Sequence, residues 1–457
     1  AYFEAETGAE FLITDRIFVT FKTAPSDEEI DTFTASYGLV KKAVYGDRDY
    51  LFQLTNHTGM NPVKLVVKLM EEEPLVELAE HDLNLRVQTN QFAVPLDPQY
   101  VKQWHLHTAL NDPDYDTRAC SLCEDAWRLL DHFGRESVVV AITDDGCKLD
   151  HQDFDSPDKF ADWGYFRDER LITRSDIDAD PDEMYKPGAN HGTSCAGVVA
   201  GETDAVLTVG AAPGCRLLPI QWESDRQELY ISDSKILTVL NFIADKVDVM
   251  SNSWSGVPLF DLAQPVLNRL AALAQTGGRR GKGIVFLWAA GNDNCPIDYT
   301  AAVDVPYSHG WKFYDDGSKE WIGLDTARVF RRNLVGIPGV MNIAALASTA
   351  RRSHYSNYGH GISLCAPSSN GHAYYRLQVR GLRITTTTGD PGGVTHKFGG
   401  TSSATPLVAG IAALTISANP GLTALEVVSI LQQTAAKDLN FQGYPQTSPA
   451  PFDPDTS

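Results

Sequence analysis

The sequence lacks a long hydrophobic run and is poor in positive charge. No stretch of about 18 uninterrupted apolar residues occurs, which argues against a membrane-spanning helix. Lys and Arg number 38 against 59 Asp and Glu, so the formal net charge is −21. This excess of acid argues against nucleic acid or an anionic membrane as a partner, and it would attract basic peptides or bound cations.

A targeting segment and an obvious disulfide framework are also missing. The first residues, AYFEAETGAE, have no leading Met and no basic region, so we expect a signal peptide to be absent or already removed. Seven cysteines cannot all pair with one another, and only Cys120 and Cys123 lie close together in the sequence. That pair is compatible with a disulfide, half of a zinc site or two free thiols, and the redox compartment stays open.

The chain is long enough for more than one domain. It has 457 residues, of which 43% are hydrophobic. Residues 1–88 alternate strand-like and helix-like segments in the order β-α-β-β-α-β, which predicts a small ferredoxin-like α+β domain. The stretch QTNQFAVPLDPQY, with two prolines and little periodicity, predicts a linker that we place at 89–96.

Apolar strands and helical patterns alternate over residues 97–440, and a Pro-rich tail follows at 441–457. Continuous apolar strands separated by helices predict an α/β domain whose parallel sheet is covered by helices on both faces. Ligands in such sheets bind at the carboxyl ends of the strands. Asp144 ends one predicted strand, Asn292 ends another, and His191 begins a helix-like run. We therefore look for chemistry at this edge.

Two adjacent hydroxyls stand before the apolar run LVAGIAALTI, in GGTSSATP at 399–406. Ser and Thr are favoured helix caps, so this segment alone predicts a cap. In a second interpretation, Ser402 is a nucleophile at a helix N-terminus, where the potential is positive and the glycines let a substrate approach. This interpretation needs a base and an acid from elsewhere in the chain, and the order Asp, His, Ser supplies them.

Five segments carry a resemblance to a known family. They are ITDDG at 142–146, HGTSCAG at 191–197, SNSWSG at 251–256, AAGN at 289–292 and GGTSSATP at 399–406. In this order they resemble the subtilisin-like serine proteases, and the DDG pair is similar to the kexin and furin branch. The resemblance implies that Ser402 is the nucleophile, His191 the general base, Asp144 the acid that orients the imidazole, and Asn292 the oxyanion donor. Asp145 could exchange roles with Asp144.

The resemblance also implies a cleft for protein or peptide substrates. SNSWSG would pair with the substrate backbone as an exposed edge, with Ser253, Trp254 and Ser255 lining the cleft. An ordinary core strand that ends in a turn would have the same periodicity. Asp298 or Asp304 would line the first specificity pocket and attract Arg or Lys.

Structural calcium is a further implication of the resemblance, because acid-rich loops supply the oxygen ligands that calcium needs. The first candidate set is Asp97, Asp153 and Asp204 with carbonyls of the loop 201–208, and the second is Asp176, Asp180 and Asp182. Such loops in a protein of this charge are often only solvated.

A third calcium site, known in the convertases, finds only Asp298 in this chain. Pro258 and Asn357 stand where acids are expected. The third site therefore has only one of its expected acids in this chain.

Finally, the resemblance predicts how the enzyme is made and where it works. Residues 1–88 would be a propeptide that assists folding and then blocks the cleft, with self-cleavage between Arg86 and Pro95; the alternative is an independent binding domain. We expect a secreted or extracytoplasmic serine endopeptidase without the β-domain of the convertases, because residues 403–457 leave no room for one. The competing hypothesis is a catalytically idle relative that acts as a binding or regulatory module.

Overall fold

The computed structural model describes residues 2–3, 10–85, 92–225, 228–313, 318–372, 378–437 and 439. The chain forms two compact units, Ala1–Gln91 and Phe92–Ser457, and the division falls within the predicted linker at 89–96. The predicted tail at 441–457 lies outside the described residues, as do residues 86–91 of the predicted cleavage region.

The first unit is a four-stranded antiparallel sheet with two helices and a short additional strand. Its elements are β1 (Tyr2–Phe3), β2 (Glu10–Phe21), α1 (Asp27–Tyr37), β3 (Leu39–Val44), β4 (Asp49–Leu54), α2 (Pro62–Glu72) and β5 (Val76–Leu85). The main strands have the order β5-β2-β4-β3, which is that of a ferredoxin-like sandwich. The β-α-β-β-α-β order expected from the sequence is therefore present, preceded by β1.

Local signals explain the helix starts in this unit. Ser26 accepts a hydrogen bond from the Glu29 N–H while the Glu29 side chain accepts from Ser26, which is a capping box at the start of α1. Asn61 caps α2 and Pro62 occupies its first turn. Apolar residues of both helices pack with the sheet into one separate core. The first unit thus has its own hydrophobic core.

The second unit contains an eight-stranded sheet and six α-helices within its described residues. Its elements are α3 (Cys123–Leu130), β6 (Val139–Asp144), β7 (Gly164–Arg167), β8 (Arg170–Thr173), α4 (His191–Ala200), β9 (Arg216–Gln221), β10 (Glu223–Ser224), β11 (Leu229–Tyr230), α5 (Asp233–Phe242), β12 (Val249–Asn252), β13 (Leu259–Phe260), α6 (Gln264–Thr276), β14 (Val285–Ala289), β15 (Tyr299–Phe313), β16 (Lys319–Arg332), β17 (Val340–Ala347), β18 (Leu364–Ser368), β19 (Ile384–Thr387), β20 (Val394–Phe398), α7 (Thr401–Ala418) and α8 (Ala424–Thr434). The order in the sheet is β18-β17-β14-β12-β6-β9-β7-β8, parallel except for the β7–β8 pair.

Helices cover both faces of this sheet, as the apolar strands predict. In β6, Val140 and Ile142 belong to one core with residues of α4, α7 and α8. Val139 and Ala141, which alternate with them, belong to a second core with residues of α5 and α6. Successive strand residues point to opposite faces, so an uninterrupted apolar strand supplies both cores. The predicted α/β fold class is confirmed.

Two features go beyond the sequence prediction. The segment after Asn292, whose path the sequence does not reveal, forms the long antiparallel hairpin β15–β16. Among the described helices, α7 alone is long and apolar enough to cross a membrane, and 83% of its 18-residue window is buried inside the domain. Its buried apolar residues belong to the same core as Val140 and Ile142 of β6.

Candidate active site

The candidate catalytic residues meet at one edge of the sheet. Strand β12 lies between β6 and β14, and all three are parallel. Their carboxyl ends therefore lie side by side, which brings Asp144, Ser253 and Asn292 to a common edge. The N-termini of α4 and α7 supply His191 and Ser402 at the ends of the helices that contact these strands.

Asp144 contacts the imidazole of His191 directly. The His191 Nδ1 lies 2.8 Å from Asp144 Oδ1, and the Asp144 side chain is only 3% exposed. This contact requires a close approach of α4 to β6, and a Cβ on Gly192 would lie 2.0 Å from the Gly146 carbonyl oxygen. The glycine after His191 is therefore needed to seat the helix.

Asp145 has a different task. Its Oδ2 accepts from the His191 backbone N–H at 3.2 Å, and its Oδ1 accepts from the Gly192 N–H at 2.7 Å. Burial and the Asp144 carboxylate raise the pKa of Asp145 to about 6. The carboxylate thus satisfies two free N–H groups at the start of α4 and does not orient the ring. Of the two acids, Asp144 has the contact that a catalytic aspartate requires.

The electrostatics favour the charged form of the imidazole. Burial lowers the pKa of His191, but the Asp144 carboxylate and the Cys195 sulfur together raise it, so that the pKa lies well above its usual value. Cys195 donates weakly from its thiol to Asp144 Oδ2 at 3.6 Å. Burial raises the pKa of this thiol to about 11, so Cys195 is a neutral neighbour of the pair.

Ser402 is the accessible member of the two adjacent serines. Ser403 is 1% exposed and its hydroxyl faces Ser368 and the Gly400 carbonyl. Ser402 is 8% exposed, and its hydroxyl donates to the Ser253 carbonyl at 3.2 Å. The thiol of Cys195 lies 3.6 Å from the Ser402 carbonyl oxygen and 3.9 Å from His191 Nδ1, which makes Ser402 and His191 neighbours across that thiol.

Asn292 lies against the start of α7. Its Oδ1 accepts from the Thr401 N–H at 2.8 Å and from the Thr401 hydroxyl at 3.1 Å. Its Nδ2 has no protein acceptor among the described residues, and it lies 3.2 Å from the position that a Cβ of Gly400 would take. Gly400, two residues before Ser402, has a φ of 75°, and its lack of a side chain leaves space beside the Asn292 amide nitrogen.

A groove of about 850 Å³ begins at this cluster. Ser253, Trp254, Ser255 and Gly256 line it together with Asp144 and His191. No strand pairs with residues 253–256 in the part of the chain that is described. The Ser253 hydroxyl donates to the Ser402 carbonyl at 3.1 Å, and the Trp254 indole donates to Thr143 at 3.0 Å. Side-chain hydrogen bonds thus hold this segment in place, while no described strand pairs with its backbone along the groove.

Comparison with known proteins agrees with this arrangement. Residues 135–447 match the family described as Subtilase family, Peptidase_S8. The chain belongs to the subtilase family. The calcium-dependent protease of Trichormus variabilis is 30% identical over 446 residues, 92% of this chain and 58% of that protein. The endoprotease bli-4 of Caenorhabditis elegans is 29% identical over 350 residues, 74% of this chain and 30% of that protein.

The shared fold extends to solved structures. The serine protease of Aeromonas sobria matches with a TM-score of 0.55 and 21% identity, over 77% of this chain and 60% of that one. This subtilase chain spans less than two thirds of the length of these proteins.

The acids along the groove are not those expected from the sequence. Glu228, Asp233 and Asp261 line it, each from a segment that only the fold brings there. Asp298 instead contacts His360 at 2.9 Å, and Asp304 pairs with Arg328 at 2.8 Å. Neither Asp298 nor Asp304 is among the residues that line this groove.

The residues of the first calcium candidate lie around the loop 201–208. Asp97 Oδ1 accepts from the Asp204 and Ala205 N–H groups, both at 3.2 Å, and Asp153 Oδ2 accepts from the Thr208 N–H at 3.0 Å. Burial raises the pKa of Asp153 to about 7, and the Asp204 and Asp97 carboxylates add to this rise. Buried negative charge is therefore concentrated here.

Two buried oxygens beside this loop have no hydrogen-bond partner. They are Asp97 Oδ2 and Gln99 Oε1. The Gln99 N–H donates to the Leu207 carbonyl at 2.9 Å, which attaches this segment to the loop. Gln99 was not predicted, although it lies two residues after Asp97. The Asp204 carboxylate lies with those of Asp155 and Glu202, all ligand atoms within 4.8 Å of one another.

The second calcium candidate is not assembled. Asp176 Oδ2 accepts from the Thr173 N–H at 2.7 Å, and Asp180 Oδ1 accepts from the Asp182 N–H at 3.0 Å. The described residues contain two clusters with the spacing of metal ligands; neither includes these three acids, and of the first candidate set only Asp204 belongs to one of them. The prediction for Asp176, Asp180 and Asp182 is therefore not supported, because local turns use the first two carboxylates as caps.

All seven cysteines are free thiols. Cys120 and Cys123 lie at the start of α3, where burial raises the pKa of both thiols. No potential metal cluster in the described residues contains either of them. Of the three states considered for this pair, the structure has the two free thiols.

Proposed function

We propose that this subtilase domain is a serine endopeptidase that cleaves peptide bonds through an acyl-enzyme on Ser402. The observation that carries the proposal is the contact between Asp144 and His191 beside Ser402. The Asn292 amide lies against the start of α7, the helix that carries Ser402. The names of the relatives, a calcium-dependent protease and an endoprotease, support the same class of reaction.

Each group has a step in this reaction. The Ser402 hydroxyl turns from the Ser253 carbonyl towards His191 Nε2, gives up its proton and attacks the substrate carbonyl. Asp144 holds the imidazole by Nδ1 and stabilises the imidazolium that forms, and His191 then returns the proton to the leaving amine. Asn292 Nδ2 donates to the oxyanion of the tetrahedral intermediate. A water molecule, activated by His191, then attacks the acyl-enzyme and releases Ser402.

The groove indicates how a substrate is held. An extended peptide would add a strand along residues 253–256, with which no described strand pairs. Glu228, Asp233 and Asp261 line the same groove, so basic side chains would be favoured along the bound peptide. Ser255 and Trp254 would contact the residues nearest the cleaved bond.

A fluorophosphonate probe tests the proposal directly. We expect the probe to label the catalytic unit and peptide mapping to place it on Ser402, because only an activated hydroxyl is phosphonylated at an appreciable rate. The Ser403→Ala variant is the matched control and should remain labelled, because the Ser403 hydroxyl faces inward. Labelling that is absent from the freed catalytic unit would favour the competing hypothesis of an idle binding or regulatory module.

The first unit is proposed to be a propeptide that keeps the enzyme as a self-inhibited zymogen. Its separate core and its β-α-β-β-α-β order support a unit that folds as a body and can be removed as one. Intact-mass measurement checks this proposal: the wild-type chain should lose the first unit, and the Ser402→Ala variant should stay whole. Equal masses would instead indicate a permanent regulatory domain.

Calcium is proposed to bind at the loop 201–208. The residues fit the ion, because Asp97 Oδ2 and Gln99 Oε1 are buried oxygens without partners next to the carboxylate of Asp153. Asp97, Gln99 and Asp153, with carbonyls of the loop, would hold the ion. The bound charge would neutralise the buried acids and fix the loop.

A chelator should therefore lower the melting temperature. At calcium 100-fold above Kd, binding stabilises by about 2.7 kcal/mol, so its removal should lower the Tm of a unit of this size by about 3 to 4 °C. Differential scanning fluorimetry with calcium and with EGTA measures the difference. Asp97→Asn should reduce the calcium-dependent shift, and Asp180→Asn is the matched control that should keep it. A full shift in Asp97→Asn would place the ion elsewhere.

A further inference from the structure

Asn357 is a buried amide that the proposed mechanism leaves without a role. It is 0% exposed and lies in the segment SNYG at 356–359, between β17 and β18. The sequence resemblance marks it only as a position where a calcium ligand is missing. A buried amide needs partners for its oxygen and its nitrogen, so the identity of those partners shows what the residue holds in place.

All partners of the Asn357 side chain belong to the loop that carries Asn292. Its Oδ1 accepts from the Asp293 N–H at 2.9 Å and the Cys295 N–H at 3.2 Å. Its Nδ2 donates to the Ala290 carbonyl at 3.0 Å and to Asp293 Oδ2 at 3.1 Å. With a weak fifth bond from the Cys295 thiol to Oδ1 at 3.6 Å, the five hydrogen bonds of this one amide enclose Asn292 on both sides along the chain.

Two further contacts tighten this arrangement. The Asn357 backbone N–H donates to the Gly291 carbonyl at 3.0 Å. Asp293 Oδ2, which Asn357 holds, also accepts from the Asn292 backbone N–H at 3.1 Å. Asn292 is itself on the surface and follows the end of β14, so strand pairing does not fix its position. Beyond the end of the strand, the contacts of Asn357 to the loop backbone and those of Thr401 to Gly291 and Asn292 hold this segment.

We propose that Asn357 is a positioning residue of the oxyanion site, which holds the loop 290–295 so that the Asn292 amide faces the reacting carbonyl. The inference rests on the proposed function of Asn292 as oxyanion donor. A donor of this kind is effective only when it is held in place before charge develops, because a donor that must move into place loses part of its advantage. Asn357 does not touch the substrate and acts through Asn292.

The first test separates turnover from substrate binding. In Asn357→Leu, which keeps the approximate volume of the side chain, we expect kcat on a peptide substrate to fall about 10- to 100-fold with KM changed by less than about threefold. Gln103→Leu is the matched control. Gln103 is also 0% exposed and makes three hydrogen bonds, with Val209 and Thr385, away from the loop 290–295. The control should lose stability but keep its kcat.

The second test asks whether Asn357 acts through Asn292. Asn292→Ala alone should lower kcat about 10²- to 10³-fold. In that background, Asn357→Leu should lower kcat by less than about threefold further, while its effect on Tm remains. The two substitutions would then be non-additive in their effect on kcat and additive in their effect on Tm. If Asn357 had only a structural role, the effects on kcat would also be additive. A full additional loss of kcat in the double variant would overturn the inference.

Failure of this inference and failure of the proposed function would give different results. A wild-type protein without peptidase activity, or an Asn292→Ala variant with unchanged kcat, would contradict the proposed function itself. Active wild type with a normal kcat in Asn357→Leu would overturn only the inference. If the Leu variant does not fold, Asn357→Asp takes its place in the same cycle, because it keeps the acceptor for the Asp293 and Cys295 N–H groups and loses the two donors.

Discussion

Ser402→Ala should lower kcat for a peptide substrate by about 10⁶-fold, which is the size of loss that removal of the nucleophile causes in subtilisin. The methyl group leaves His191 without a proton to accept and the substrate without an attacking oxygen. The fold should be unaffected, because the hydroxyl makes only the 3.2 Å bond to the Ser253 carbonyl. The oxyanion donor and the groove remain, so a residual rate of about 10³- to 10⁴-fold over water is expected.

The measurement is single-turnover cleavage of a fluorogenic peptide, with peptide affinity determined in parallel. Affinity should stay within about threefold of the wild type, because the groove backbone at 253–256 is unchanged. Ser403→Ala again serves as the control and should keep most of its activity, since that hydroxyl is engaged with Ser368. Comparable losses in both variants would mean that the helix start, and not the nucleophile, had been damaged.

The sequence predicts the central fold, and the meeting of the candidate catalytic residues at one edge of the sheet, for a physical reason. In the run SVVVAITDD, residues 138–142 are all apolar because β6 is buried on both faces, and this pattern is visible without a structure. Parallel strands end at a common edge, so Asp144 and Asn292 are predicted to be neighbours once the sheet is recognised. The helix starts at His191 and Ser402 then follow from local motifs.

Contacts of individual carboxylates could not be predicted in the same way. Asp145 is adjacent to Asp144, and only the position of α4 shows that Asp145 binds backbone N–H groups while Asp144 binds the ring. Asp298 is predicted from the sequence to line a specificity pocket, but its carboxylate contacts His360 and it is not among the residues that line the groove. The position of an Asp or Glu along the chain does not show which group its carboxylate contacts in the folded protein.

Asn357 shows the same limit from the opposite side. A family motif marks it as a missing metal ligand, yet its five side-chain hydrogen bonds hold the loop 290–295. Neither hydrophobic periodicity nor helix signals carry information on a buried amide between two strands. Its partners are more than 60 residues away along the chain, and only the folded structure joins them.

The second large effect distinguishes the two adjacent acids. Asp144→Asn should lower kcat about 10⁴-fold, because the amide no longer stabilises the imidazolium and can hold the ring in the wrong tautomer. Asp145→Asn should stay within about tenfold of the wild type and lose a little stability, because the amide still accepts one of the two N–H bonds at the start of α4.

The pH dependence of kcat/KM gives an independent reading of the same pair. Catalysis needs the neutral imidazole, so kcat/KM should fall as the pH falls through the pKa of His191, which Asp144 raises. Removal of that charge in Asp144→Asn lowers the pKa, and the acid limb of the profile should move to lower pH. Asp145→Asn should move it less, because this carboxylate bonds the backbone and not the ring. The opposite ranking of the two variants, in kcat and in the acid limb, would make Asp145 the orienting acid.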